Sequence, residues 1–304
     1  MKDGHIAVVG TTASGKSALA LALARLHPEF EIVSIDSMQV YRGMDIGTAK
    51  PTLDERAEVP HHLIDLADPD EDFTVAQFQR AFVDVLAGIE GRGHRALLVG
   101  GTGLYLRAAI DGLTIPGRYP HARRELDEEP TDLLHERLVE LDPVGATRVT
   151  PTNRRRIVRA LEVTLGSGRP FSSFGPGLEA YPPTTFRLTG IALPPEVVAA
   201  RIAARYRQQL DDGSLDEVRR LVSRPGGLSR TAGQALGYKE LVAHLAGDVT
   251  LEDAIDQAVR RTRQFARRQR AWLRRDPRID WLQAESDPFE VWPALEQIVS
   301  GAAP

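Results

Sequence analysis

Residues Gly10–Ser17 read G-T-T-A-S-G-K-S, a match to the phosphate-cradling pattern G-x-x-x-x-G-K-[ST]. The flanks decide how much this means. His5-Ile6-Ala7-Val8-Val9 is a short apolar run of strand character, and Ser17–Ala24 is rich in the strong helix formers alanine and leucine. A strand that turns through glycines into a helix aims several backbone N–H groups and a positive dipole end at one anion. Lys16 adds a mobile cation, and Ser17 offers a hydroxyl suited to Mg²⁺. Gly10, Thr11, Thr12, Ala13, Ser14, Gly15, Lys16 and Ser17 are therefore expected to hold a diphosphate or polyphosphate.

Further runs extend this beginning into a sheet. Glu31–Asp36 has the look of a second strand ending in a carboxylate, and the unalternating Arg95–Gly101 suits a strand covered on both faces. Between them, Thr74 with Gln77 forms a capping-box signal, and Phe78, Phe82, Val85, Leu86 and Ile89 follow at helical spacing. Thr102–Ile110 also looks helical. Strand–helix–strand order predicts an α/β fold, a P-loop-type parallel sheet flanked by helices. Near Asp111 the chain turns polar and rich in proline and glycine. Residues 111–183 are expected to form a mostly helical insertion, with helices over Asp132–Leu141 and Asn153–Leu165 and a long loop over Gly166–Pro183. Residues 1–110 and 184–304 form the core domain. There Thr185–Leu193 returns to the sheet, and helices follow over Pro195–Leu210, Asp216–Val222, Gly237–Leu245 and Leu251–Arg274.

Composition narrows the chemistry. The chain of 304 residues has no cysteine, which excludes disulfides, thiolate metal sites and cysteine nucleophiles. No apolar run approaches the roughly twenty residues of a membrane span, and no secretory leader precedes the first strand, so a cytoplasmic monomer is expected. The net charge of −4 argues weakly against nucleic acid, but the charge is uneven: Arg260–Arg278 holds nine arginines and one aspartate, and Arg154, Arg155, Arg156 and Arg159 form a second cluster. Such basic faces suit a phosphate backbone; a solvated helix face is the blander account. His61 and His62 are adjacent on an extended segment, so they point to opposite faces and make a poor chelate.

A P-loop alone admits a nucleotide hydrolase, a kinase or another enzyme with a phosphate leaving group. Sites in open α/β sheets lie at the carboxyl ends of strands, which is where Asp36 falls. The run that follows, D-S-M-Q-V-Y-R-G-M-D-I-G-T-A-K-P (Asp36–Pro51), is too polar and glycine-rich for core. With the P-loop, P-H-H-L-I-D (Pro60–Asp65), L-V-G-G-T-G-L-Y (Leu98–Tyr105), R-R-I-V-R-A-L-E-V (Arg155–Val163), G-Y-K-E (Gly237–Glu240) and T-R-Q-F-A-R-R-Q-R-A-W-L-R (Thr262–Arg274), it resembles the bacterial tRNA dimethylallyltransferases over almost the whole chain.

That resemblance implies transfer of a dimethylallyl group from dimethylallyl diphosphate to N6 of adenosine 37, beside the anticodon of tRNAs that read codons starting with U. The P-loop would then hold the diphosphate of the prenyl donor with Mg²⁺ near Ser17. A nucleotide-binding or ATP-binding label attaches easily to such a motif, though the reaction needs no ATP. The exocyclic amine is a poor nucleophile and needs a base; Asp36 is the candidate, with a place in the Mg²⁺ shell as its alternative. Resemblance also assigns Thr12 and Arg205 to the transfer site, Arg205 standing in the R-I-x-x-R-Y pattern of Arg201–Tyr206. It gives Asp36, Ser37, Met38, Gln39, Thr102, Arg123, Arg155, Arg156 and Arg159 to the anticodon stem-loop of the tRNA partner.

Overall fold

The computed structural model describes residues 4–300. β1 (Ile6–Gly10) runs into the glycine-rich turn and α1 (Lys16–Leu26). Then come β2 (Phe30–Ser34), α2 (Leu53–Glu58), the two-residue β3 (His61–His62), α3 (Val75–Gly91), β4 (Arg95–Gly100) and α4 (Gly103–Ile110). Next are α5 (Pro120–Asp127), α6 (Thr131–Leu141), α7 (Pro143–Thr147) and α8 (Arg154–Ser167). The chain continues with β5 (Arg187–Ala192), α9 (Pro195–Asp211), α10 (Ser214–Val222), α11 (Tyr238–Leu245), α12 (Leu251–Leu273), β6 (Ile279–Gln283) and α13 (Trp292–Ser300). Two compact units result: Met1–Asp111 with Pro183–Pro304, and Gly112–Pro182.

The first unit is built on one six-stranded sheet in the order β3-β2-β4-β1-β5-β6. Every pairing is parallel, with Val8 opposite Val99 on one side and Thr189 on the other. Strand alternation splits the core in two. Ile6, Val8, Ile32, Leu97, Val99 and Ile191 pack with Leu19 and Leu23 of α1 and Val198 and Ile202 of α9. Ala7, Val9, Val33, Leu98 and Leu188 meet Phe78 and Phe82 of α3, Leu106 of α4 and Tyr238 of α11. Burial on both faces accounts for the unbroken apolar runs of the central strands. The start of α3 matches its sequence signal: Thr74 Oγ1 accepts from the Gln77 N–H and Gln77 Oε1 from the Thr74 N–H.

Three departures from the expected elements have physical reasons. β6, I-D-W-L-Q, pairs with β5 as an edge strand; it is five residues long and follows neither an unbroken apolar run nor a period of two, which concealed it. β3 is too short to leave a pattern. The long loop after α8 contains a 3-10 turn, Phe171–Phe174, held where Thr164 Oγ1 accepts from the Phe171 N–H and Asp142 accepts from Ser172. The second unit has its own small core of Leu126, Leu134, Leu138, Ile157, Val158 and Leu161.

Phe82 is buried between α3 and the sheet. Phe82→Ala should cost about 3–5 kcal/mol of unfolding free energy, read from urea denaturation. A loss below about 1 kcal/mol would mean that this face of the sheet is not packed as described.

Candidate active site

The carboxyl ends of β2, β4 and β1 lie side by side in the sheet. They carry Asp36, Thr102 and the P-loop. In the P-loop, Gly15 precedes the first helical residue in the left-handed region at φ 81°, and no side chain caps α1. The first N–H groups of the helix therefore stay open to an anion. Ala13 also lies in the left-handed region, at φ 62°. A non-glycine residue there is held at a cost of about 1–2 kcal/mol, which fits a loop shaped for a ligand. Gly10 has no room for more: a Cβ would lie 2.7 Å from Ser14 Oγ and 2.9 Å from the Ile191 carbonyl. Ser14 Oγ is itself buried inside the loop, without a partner among the described residues.

Cations converge on this nest. Lys16 Nζ donates to the Thr11 carbonyl at 3.0 Å. Burial pushes its pKa down to about 8; Asp36 opposes that shift and Arg205 reinforces it. Arg205, from α9, donates to Thr12 Oγ1 at 2.8 Å, and its Nε is buried without a partner among the described residues. Burial lowers its pKa as well, against the pull of Tyr206 and Asp36. One turn earlier, Arg201 donates to the Ala13 carbonyl at 2.9 Å. Ser17 lies exposed on the first turn of α1.

One clamp on the loop escaped sequence reasoning. Gln269 of α12 accepts the Thr12 N–H at 2.9 Å and donates to the Gly101 carbonyl at 3.0 Å, tying the P-loop to the end of β4. α12 approaches so closely that a Cβ on Gly101 would lie 2.3 Å from Gln269 Nε2, and one on Gly103 would lie 2.0 Å from the Trp272 ring. The glycines of L-V-G-G-T-G therefore make room for α12. A signal existed: Gln269 continues the buried small-residue stripe of Ala258, Thr262 and Ala266, where a glutamine has to find partners.

Asp36 follows β2, whose register is kept by the Ile35 N–H donating to the Val99 carbonyl at 2.9 Å. The Asp36 N–H donates to Ser34 Oγ at 3.3 Å, and Oδ1 accepts the Met38 N–H at 2.8 Å. This local turn fixes the carboxylate, and Oδ2 has no hydrogen-bond partner among the described residues. The charge of Asp36 is felt at Lys16, Arg205 and Tyr105, yet it forms no ion pair with them. Ser37 and Met38 are half-buried in the same turn. The Gln39 side chain is spent inside the protein: Oε1 accepts from Ser34 Oγ at 2.8 Å, and Nε2 donates to the Thr48 and Ala49 carbonyls at 3.3 and 3.0 Å. Thr102 precedes α4, half-buried, with no side-chain cap bond.

The remaining predicted positions lie in the second unit, on α5 and α8. Arg154 and Arg159 hold that unit together. Arg154 donates to the Leu126, Asp127 and Glu129 carbonyls, and Arg159 to the Gly117 and Pro116 carbonyls and Glu162. Arg123 pairs with Asp127 and Glu162 at 3.0 and 3.7 Å. Arg155 and Arg156 are exposed, and neither guanidinium has a partner among the described residues. In the first unit, Arg260, Arg263, Arg267, Arg268, Arg274 and Arg275 are exposed along and just beyond α12. His61 Nδ1 and the Val59 carbonyl lie 2.8 Å apart, and His62 Nε2 and Glu31 2.6 Å apart. Among the described residues no group of three or more His, Cys, Asp or Glu could hold a metal ion.

The depressed Lys16 pKa has a testable sign. Near pH 8 the free protein carries this lysine half-charged, and a bound diphosphate restores the charge. Above pH 8, binding of inorganic diphosphate should therefore take up a proton at Lys16. Relative to Lys16→Met, affinity should weaken by up to about tenfold per pH unit. Calorimetry in buffers of different ionisation enthalpy reads the uptake directly; equal uptake in both proteins would refute the assignment.

Comparison with known proteins gives this geometry a context. The family model described as IPP transferase matches residues 39–276, and that described as isopentenyl transferase matches residues 4–65. A tRNA dimethylallyltransferase of Geobacter metallireducens is 46% identical over 288 residues, 93% of this chain and 93% of that protein. One from Nocardioides sp. is also 46% identical, over 93% and 92% of the two chains. Among solved structures, a tRNA isopentenylpyrophosphate transferase of Bacillus halodurans is 36% identical with a TM-score of 0.71, covering 99% of this chain and 98% of that one. A eukaryotic dimethylallyltransferase acting on tRNA is 26% identical with a TM-score of 0.81, covering 99% and 80%. The chain belongs to the IPP transferase family.

Proposed function

We propose that this protein is a tRNA dimethylallyltransferase. It transfers the dimethylallyl group of dimethylallyl diphosphate to N6 of adenosine 37 in tRNAs that read codons starting with U. The observation that carries the reading is the placement of Asp36, at the end of β2, beside a P-loop nest that holds Lys16 and is gripped by Arg205. The donor's diphosphate lies in the P-loop. The bond between its oxygen and the first prenyl carbon breaks as that carbon bonds N6. The N6 proton passes to Asp36, and diphosphate leaves as an anion against Lys16, Arg205 and the open amides of α1. Thr12, held by Arg205 and Gln269, keeps the nest in shape.

The donor set fits Mg²⁺. Ser17 offers a hard oxygen, and without a cage of carboxylates such an ion would draw most of its ligands from water and diphosphate. Bound there, it supplies charge neutralisation for the leaving group. The acceptor is a loop adenosine, which leaves its stack at a cost of roughly a few kcal/mol. Asp36–Gln39 and Thr102 line the acceptor side. Arg155 and Arg156, exposed and unpartnered, suit tRNA phosphates, and Arg123 and Arg159 shape the surface they stand on. Base and nest come from a single chain, which supports action as a monomer. No helix among the described residues is long and apolar enough to cross a membrane, in keeping with work in the cytoplasm.

Transfer of labelled dimethylallyl from its diphosphate to unmodified tRNA tests the reading; tRNA bound by active protein without label incorporation would sink it. Asp36→Ala should lower turnover by about 10²–10⁴-fold and leave affinity for inorganic diphosphate nearly unchanged. A comparable loss of diphosphate affinity would reassign Asp36 to the metal shell. Lys16→Met should weaken both.

A further inference from the structure

Glu217, on the first turn of α10, is 2% exposed and far in sequence from the P-loop and Asp36. Its carboxylate faces the backbone of the turn after β2. Oε2 accepts the N–H groups of Asp45 and Ile46, both at 2.8 Å. Oε1 accepts the Gly47 N–H at 3.1 Å and the Tyr238 hydroxyl at 2.6 Å. Three consecutive amides turned toward one anion form a nest, and here the anion is the protein's own. Gln209 of α9 completes the grip, donating to the carbonyls of Ile46 and Gly47 at 2.6 and 3.2 Å. Gly47 is needed for this approach, since a Cβ would lie 2.5 Å from the Tyr238 ring.

The other side of the turn is fastened from within. Lys50, its side chain fully buried, donates to the Tyr41 carbonyl and to Asp45 and Asp65 at 2.6–2.7 Å. From the pinned turn a continuous chain of hydrogen bonds leads to the site. The carbonyls of Thr48 and Ala49 hold the Gln39 amide, Gln39 Oε1 holds Ser34 Oγ, and Ser34 Oγ accepts the Asp36 N–H.

We infer that Glu217 is a positioning residue for the transfer reaction: it fixes the Asp45–Gly47 turn and, through Gln39 and Ser34, the direction of the Asp36 carboxylate. Glu217 touches no substrate. The inference rests on Asp36 being the base and adds the device that aims it. A carboxylate suits this place because all four groups facing it are donors; an amide would turn its own N–H groups toward some of them. A displacement near 1 Å at a reacting group costs on the order of 10²-fold in rate.

The test is single-turnover transfer with enzyme in excess over unmodified tRNA and saturating dimethylallyl diphosphate. Glu217→Ala should lower the rate constant about 10- to 100-fold and leave the dissociation constant of inorganic diphosphate within about twofold of the unsubstituted protein. Glu217→Gln and Gln209→Leu should lie in between, and either replaces Glu217→Ala if that variant is insoluble. A purely structural glutamate lowers only the concentration of folded enzyme, so the rate constant reached at saturating enzyme stays unchanged. That outcome overturns the inference, as does a parallel fall in rate and diphosphate affinity. No transfer by the unsubstituted protein would instead defeat the functional reading on which the inference rests.

Discussion

The site depends on positive charge stored at a desolvated strand end. Lys16 and Arg205 sit where burial lowers the pKa of both, and the amides of an uncapped helix add to the same field. Without an anion this arrangement is unfavourable, and the fold holds it by over-determining the loop. Thr12 is gripped at its N–H by Gln269 and at its hydroxyl by Arg205, and the Ala13 carbonyl is held by Arg201. An anion in the loop would relieve the repulsion, so part of the energy of binding one is set aside in the folded state. Donors already in place need not reorganise when negative charge grows on the leaving group.

The sheet order makes this geometry economical. β1 is flanked by β4 and β5, and β4 in turn by β2, so the loops that follow β1, β4 and β2 open on one edge. Neither connection within the sheet comes from local sequence, but parallel pairing with helical crossovers leaves few alternatives. α12 then lies against that edge. Its approach explains two glycines at once: Gly101 and Gly103 sit where a methyl group would meet Gln269 or Trp272, while Gly10 is closed in by Ser14 and the Ile191 carbonyl. The glycine-rich blocks serve close packing as well as phosphate binding.

Much of this could be read from the chain, for reasons that differ by element. β1, β2 and β4 are inner strands built around runs of buried apolar residues, and the capping box of α3 is a short-range device spelled out in Thr74 and Gln77. The P-loop and Asp36 stand out because glycines and a carboxylate interrupt apolar runs. β6 could not be read, since it follows neither an unbroken apolar run nor a period of two. Nor could the partners of Gln269 and Glu217, although the buried stripe of α12 marks Gln269 as a residue that needs them. Each is one polar residue in a charged helix, and its role is set by partners 168 or more positions away in the bonds that matter. The arginines of α8 show the limit most plainly. Arg154 and Arg155 are chemically identical neighbours, yet helical phase sends one onto carbonyls of its own unit and leaves the other in solvent.

Asp36 illustrates how the same electrostatics separates two tasks. A carboxylate in direct contact with Lys16 or Arg205 would neutralise the nest and lose basicity in one step. Here it is near enough for each cation to feel its charge, and it forms no ion pair with either. Its Oδ1 is held by the Met38 N–H, while Oδ2 keeps its lone pairs. The cations are thus left to an anion in the P-loop, and the carboxylate keeps an oxygen open beside them, with no movement of the backbone required.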